Sequence, residues 1–193
     1  VEADILISLP KFKTHGLTVI TGAIKNSYGI LPGAQKAKLH KAAGTPERFH
    51  ELIVDVFRLR TPDLFIVDGV VGMEGNGPAS PDLREIGLIL ASDNAVAVDA
   101  VIARMMGCDP GRLRFLQRAR ELGLGDYDLD RIEIIGELRA LPDFTLPTYG
   151  RLVVEYAGMP DVPDYAQGIW HKRRAYAANR IPALFIYPLD LHG

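Results

Sequence analysis

The sequence predicts an α/β fold: a mostly parallel sheet flanked by helices, with a proline-rich C-terminal arm. Three observations carry this. Apolar runs of strand length alternate with helical patterns between residues 4 and 135, the order that builds βαβ units. A chain of 193 residues, 48% of them hydrophobic, buries one sizeable core. Beyond Gly136 the texture changes, with prolines at 142, 147, 160, 163, 182 and 188. We therefore read an α/β domain over 1–136 and an arm over 137–193. The arm is expected to pack on the same domain, because Tyr149, Tyr156, Tyr165, Trp170, Phe185 and Tyr187 are poor company for water.

Each element has a local reason. A first strand is expected at 4–9, stopped by Pro10. Leu17 to Tyr28 reads as a helix weakened by Gly22. Residues 29–44 mix Gly, Pro and Lys and read as a loop. Thr45 and Pro46 then supply an N-cap and a first-turn proline. The helix they open carries Phe49, Leu52, Ile53, Val56 and Phe57 on one stripe. Leu64 to Val67 is a buried strand ending at Asp68-Gly69, and a glycine-rich loop occupies 72–78. Ile86 to Ala91 is a strand, and Asn94 to Met106 a helix capped by Ser92 or Asp93. Asp109-Pro110 opens a helix that Gly123 and Gly125 break. Ile132 to Ile135 reads as the last strand, and in the arm only 165–179 reads as helical. The chain opens Val1-Glu2-Ala3-Asp4 and enters a strand almost at once, so the domain is expected to be truncated at its N-terminus.

Composition excludes several classes. Twenty-two Lys and Arg against 24 Asp and Glu give a net charge of −2, which suggests neither nucleic acid nor an anionic membrane as partner. Cys108 is the one cysteine. It excludes an internal disulfide framework, and within this chain a four-thiolate iron–sulfur cluster or a Cys-rich zinc site. That usage fits the cytoplasm. No apolar run nears the roughly 20 residues that span a bilayer, and no signal-peptide pattern is visible.

The stretch F-K-T-H-G-L-T-V-I-T-G-A-I-K-N at 12–26 sets polar groups in apolar company. Lys13, Thr14 and His15 follow the expected first strand, at the edge where open α/β sheets bind ligands. Gly16 would begin a helix whose free N–H groups attract anions. Lys13 and His15 thus suit a phosphate or carboxylate; the alternative is a solvated basic turn. Lys25-Asn26 has no acid at positions 21, 22, 28 or 29. Lys25 either snorkels to the surface or, as we favour, faces a ligand or carboxylate.

Asp68 ends its strand at the same sheet edge, so its carboxylate is expected to face these cations; an Asx turn is the alternative. Glu74, Gly75 and Asn76 lie in G-M-E-G-N-G-P, where glycines let backbone approach a ligand closely. This is neither a P-loop nor a G-x-G-x-x-G motif. Asp99 has Ala95, Val96, Ile102 and Ala103 at helical spacing. A carboxylate on that face must be paired, with Lys25 or Lys13, or by a structural salt bridge or capping bond. His40 lies in the basic segment K-A-K-L-H-K, which closes over a ligand or is solvated. His50 falls on the polar side of its helix and reads as surface. Cys108 lacks a basic partner nearby in sequence.

Taken in order, these segments resemble an uncharacterised family, domain of unknown function 362. The resemblance rests on L-P-K-F-K-T-H at 9–15, T-G-A-I-K-N-S-Y-G at 21–29 and the Lys36 to His40 segment. It continues through I-V-D-G-V-V-G-M-E-G-N-G-P at 66–78 and A-S-D-N-A-V-A-V-D-A at 91–100. It implies Lys13, His15, Lys25, Asn26, Asp68, Glu74 and Asp99 as the functional set, and supplies no reaction. Members of the family are often fused to ferredoxin-type iron–sulfur modules, so such a module would lie outside this chain or on a partner. After Pro78 the chain departs from the pattern, with Ala79-Ser80-Pro81-Asp82 where a glycine is expected.

The functional expectation is a polar ligand site in a redox-linked enzyme acting on a small anionic metabolite. Lys25, Asp68 and Glu74 would be catalytic, and Lys13, Thr14, His15, Asn26, Gly75, Asn76 and Asp99 would bind the ligand. Asp68, Glu74 and His15 are candidates for a divalent metal: oxygen ligands favour Mg²⁺, Ca²⁺ or Mn²⁺, and His15 would admit zinc or iron. Two alternatives stand beside this: a non-catalytic domain that binds a ligand or docks an iron–sulfur electron-transfer partner, and a purely structural salt-bridge network.

Overall fold

Pro10 divides the first apolar run, giving two strands where one was expected: β1 (Ile7–Ser8) and β2 (Lys11–His15). The structure is a computed structural model. It describes residues 3–136, residues 138, 140, 141 and 144–147, the backbone of 153–156 and 183–186, and residues 167, 170 and 174. After a turn at 16–18 the chain returns as β3 (Val19–Thr21). The helix expected from Leu17 is absent there because Thr18, Val19, Ile20 and Thr21 form an unbroken β-branched run. Helix starts only at α1 (Ala23–Asn26) and tightens into a 3₁₀ turn, Ser27–Ile30.

Residues 29–44 are not a loop. Most of them form α2 (Gly33–Ala43), because Ala, Gln, Lys and Leu are good helix formers even without an apolar stripe. The expected amphipathic helix is α3 (Pro46–Leu59); its first turn donates the Arg48 N–H to the Thr45 hydroxyl, 3.3 Å away. Strand β4 (Leu64–Met73) runs straight through Asp68-Gly69, and β5 (Leu83–Ser92) returns beside it. Helix α4 (Ala95–Met105) is capped by Asn94 rather than Ser92 or Asp93; the Asn94 amide oxygen accepts from Val96 and Ala97. The next helical stretch is split into a 3₁₀ turn, Pro110–Arg112, and α5 (Arg114–Glu121). Ile132 to Ile135 form no strand. Ile134 and Ile135 are exposed instead of packed in the sheet, and a cavity of about 300 Å³ lies between this segment and β5.

The five-stranded sheet is mixed. β1 and β2 pair parallel with β4 (Ile7 beside Leu64, Lys11 beside Asp68), while β3 and β5 flank them antiparallel. α1, α3, α4 and α5 pack against one another in one layer. Phe12, Ile53, Phe57, Phe65, Ile102, Phe115 and Leu116 fill the core. Alternation along β4 sends Phe65 and Val67 inward while Asp68 and Val70 face solvent, with exposed Ile89 paired to Asp68.

The chain divides into two compact units, Val1–Pro147 and Thr148–Gly193. In the second, β6 (Val153–Tyr156) pairs parallel with β7 (Ala183–Ile186), and Arg174 lies over the Trp170 ring. The helix expected at 165–179 falls largely outside the described residues.

Candidate anion-binding site

Cross-strand pairing sets the first part of the site. Lys13 lies opposite Thr21, and His15 opposite Val19. Because side chains alternate along a strand, Lys13, His15, Thr21 and Val19 share one face of the β2–β3 ladder. Phe12 and Thr14 point the other way and are fully buried. His15 ends the strand and Gly16 opens a turn, not a helix. Any attraction for anions here therefore comes from side chains.

His15 is 8% exposed, and its Nδ1 accepts the Leu17 N–H at 3.1 Å. That bond assigns the proton of the neutral ring to Nε2. Burial, and then the charges of Lys25 and Lys13, lower its pKa to about 3, so the ring is an uncharged N–H donor at neutral pH. Lys25 rises from α1, half-buried. Burial first, then Lys13 and Lys36, bring its amine down to about 8.

Lys13, His15, Lys25, Lys36 and His40 thus form one electrostatically connected group. Among the described residues, no carboxylate forms an ion pair with any of them. Lys13 Nζ donates to the Pro78 carbonyl at 3.2 Å. The hydroxyl of Thr21, on the same ladder face, is buried with no partner.

The acids do not face these cations as expected. Asp99, fully buried on α4, accepts the backbone N–H groups of Ala23 at 2.6 Å and Ile24 at 3.1 Å. Of the two alternatives for a buried Asp99, the capping bond is the one realised: a side chain from α4 caps α1. Gly22, the backbone N-cap of α1, supplies no side chain, and a Cβ there would overlap the Asp99 carboxylate. Burial raises Asp99 to about 7 against the lowering effect of both bonds.

Asp68 pairs instead with Lys11, at 2.7 Å on the exposed side of the sheet. Its Oδ1 also accepts the Val70 N–H. Glu74 accepts from Arg84 at 3.3 Å and from the Thr145 N–H at 3.1 Å. Among the described residues no three His, Cys, Asp or Glu side chains converge. His15, Asp68 and Glu74 are therefore not brought together as a metal set.

Residues 1–104 match the family described as Domain of unknown function (DUF362). The chain belongs to this family. It is also 40% identical over 124 residues to the thylakoid-associated protein sll1697 of Synechocystis sp. (strain ATCC 27184 / PCC 6803 / Kazusa). That match covers 64% of this chain and 39% of the relative, so the chain spans well under two thirds of the relative's length. No solved structure matches significantly.

Within this DUF362 chain the glycine-rich segment frames Lys13. Gly16 donates its N–H to the Gly77 carbonyl at 2.9 Å, and a Cβ on Gly77 would overlap the Thr14 carbonyl. Gly75 adopts φ 76° and donates to Thr145 at 2.7 Å, while Asn76 is exposed. Asn26 points its amide at the Ser8 hydroxyl, 2.9 Å away.

His50 is not at the surface. Its Nε2 lies 2.8 Å from the Leu17 carbonyl and its Nδ1 accepts the Phe115 N–H, so the ring fastens α3 to α5 and the 16–18 turn. Cys108 is partly buried, and burial raises its thiol pKa. Lys36 and His40 stood outside the expected site set, because their segment read as a loop that either closes over a ligand or is solvated. In the structure α2 carries both. No helix among the described residues is long and apolar enough to cross a membrane.

Proposed function

We propose that this DUF362 chain binds a small anion, a phosphate or carboxylate, between Lys13, His15 and Lys25, with Lys36 and His40 adding to the positive field. One observation carries the reading: basic groups gathered on β2, α1 and α2 without a compensating carboxylate. Like charges gathered near a protein surface repel one another. An anion turns that repulsion into attraction. Neutral His15 contributes an N–H donor without further charge, and the unpartnered Thr21 hydroxyl contributes a second polar group.

Depth favours a small ligand over a docked protein surface. His15 is nearly inaccessible and Lys25 is half-buried, whereas a docking surface displays its charges. Titrating inorganic phosphate into the protein calorimetrically at low ionic strength tests the reading. Saturable binding is expected in the wild type, weakened about tenfold or more in Lys13→Ala, since one lost charge-assisted hydrogen bond is worth roughly 1.5–3 kcal/mol. Equal binding by both proteins, or none by the wild type, overturns it.

A further inference from the structure

Among the described residues, β5 has one neighbour in the sheet, β4. Along its other edge alternate residues turn an N–H and a C=O outward. At 88–92 none of these groups meets a backbone partner among the described residues. Folded proteins blunt such edges with charge, proline, bulges or a covering segment. Here the stretch 86–92 reads I-G-L-I-L-A-S, without charge or proline. The register irregularity between Gly69 and Val71 of β4 falls before Leu88, so 88–92 runs regularly. Nor is this edge covered. Residues 88–92 line one side of the cavity of about 300 Å³, 132–136 line the other, and Val98, Val101 and Met105 of α4 lie between them.

The occupant of this slot has to suit both its apolar lining and its backbone edge. An aliphatic chain would cover α4 but hold the β5 backbone groups out of water unpaired, which costs free energy. A second copy would bring its own β4 along with β5, and 132–136 stands in its path. An extended peptide segment suits both features. Its backbone pairs with β5, and its alternate side chains lie beside Leu88 and Leu90, which pack on the core. Ile89 and Ala91 face solvent, so the intervening side chains are free to be polar. Glu133 is exposed, is the one charged residue lining the cavity, and forms no ion pair among the described residues.

We propose that β5 accepts an extended segment of a partner protein as a sixth strand of the sheet. The segment is aliphatic at alternate positions, free of proline, and flanked by a lysine or arginine that meets Glu133. This surface shares no residue with the anion site and does not depend on it.

The test titrates the peptide acetyl-Lys-Val-Thr-Val-Thr-Val-Lys-amide into the intact, isotope-labelled protein and follows amide shifts and amide exchange by NMR. Saturable shifts are expected at 88–92, at 132–136 and in α4, with exchange at alternate residues of 88–92 slowed about tenfold or more. Two further peptides are N-methylated, one at the central Val and one at the Thr beside it. Successive N–H groups of a strand point to opposite edges, so one of the two should bind about tenfold more weakly and the other nearly as well as the parent. Glu133→Lys, at an exposed position, should weaken binding of the parent about two- to fivefold. Exchanging the peptide's lysines for glutamates should restore it. Equal binding by the parent and both methylated peptides, or no binding by the parent at millimolar concentration, overturns the proposal. Decanoate shifting the same residues where the peptide does not would give the slot to an aliphatic ligand. A peptide-free dimer in sedimentation, with the 88–92 amides already protected, would give the edge to a second copy. Either result overturns the proposal too.

Discussion

Asp99 and Gly22 are fitted to each other: the buried carboxylate occupies the space that a side chain at residue 22 would fill, and from there accepts the first N–H groups of α1. This contact joins the two halves of the DUF362 match, T-G-A-I-K-N and A-V-D-A. It also positions Lys25, two residues beyond Ala23.

Gly22→Ala should therefore destabilise sharply, since Asp99 is held by two hydrogen bonds at full burial and has nowhere to move. Asp99→Ala leaves two buried N–H donors unpaired and should cost about 2–4 kcal/mol in urea unfolding. The double variant should cost much less than the sum, because removing the carboxylate makes room for the new methyl. Additive costs would contradict the fit.

Stability should depend on pH in two opposed ways. His15 titrates at about 3 in the fold and near 6.5 unfolded. As pH falls through that window the unfolded chain takes up the proton first, so stability falls, by at most about 1.4 kcal/mol per unit for one group. His50, also lowered by burial, acts with the same sign. Asp99 acts oppositely. Its folded value, about 7, lies above the unfolded 3.8, so its contribution is present at low pH and lost as pH rises toward 7. Urea midpoints from pH 4 to 8 should show His50→Gln flattening the acid limb and Asp99→Asn flattening the decline toward neutrality.

Thr14 and Thr21 both carry buried hydroxyls without partners, yet only Thr21 shares the face of Lys13. Thr14→Val and Thr21→Val should each leave the ligand-free protein as stable or slightly more so, because an unpaired buried polar group is removed. Only Thr21→Val should weaken phosphate binding. Equal affinity in both variants would place the Thr21 hydroxyl outside the site.

Asp68 was the sequence's natural partner for the cations, and the structure sends it to Lys11 on the exposed side of the sheet. An exposed pair of this kind contributes little. Asp68→Asn should leave both the urea midpoint and phosphate affinity unchanged within error.

Much of this was legible in the sequence, and what was not has physical causes. The α3 stripe, its Thr45-Pro46 start and the burial of Asp99 followed from periodicity, capping chemistry and neighbours at helical spacing. The partner of Asp99 did not, because a backbone N–H donor seventy-odd residues away leaves no side-chain signature. β3 and α2 were misread for opposite reasons. A β-branched run was allowed to continue a helix, and Gly33 and Pro32 were weighed above ten helix-forming neighbours. Lys13, His15 and Lys25 were identifiable as polar groups in apolar company. That Lys13 and His15 share a ladder face with Thr21, and that Asp68 pairs with Lys11 instead, depends on strand register, which the sequence does not print.

The most direct test is the titration of the Lys25 side chain, followed by NMR on protein labelled at lysine, without and with saturating phosphate. The account predicts a midpoint near 8 without phosphate, moving upward when the anion binds. A midpoint at the ordinary lysine value of 10.5, unmoved by phosphate, would contradict it.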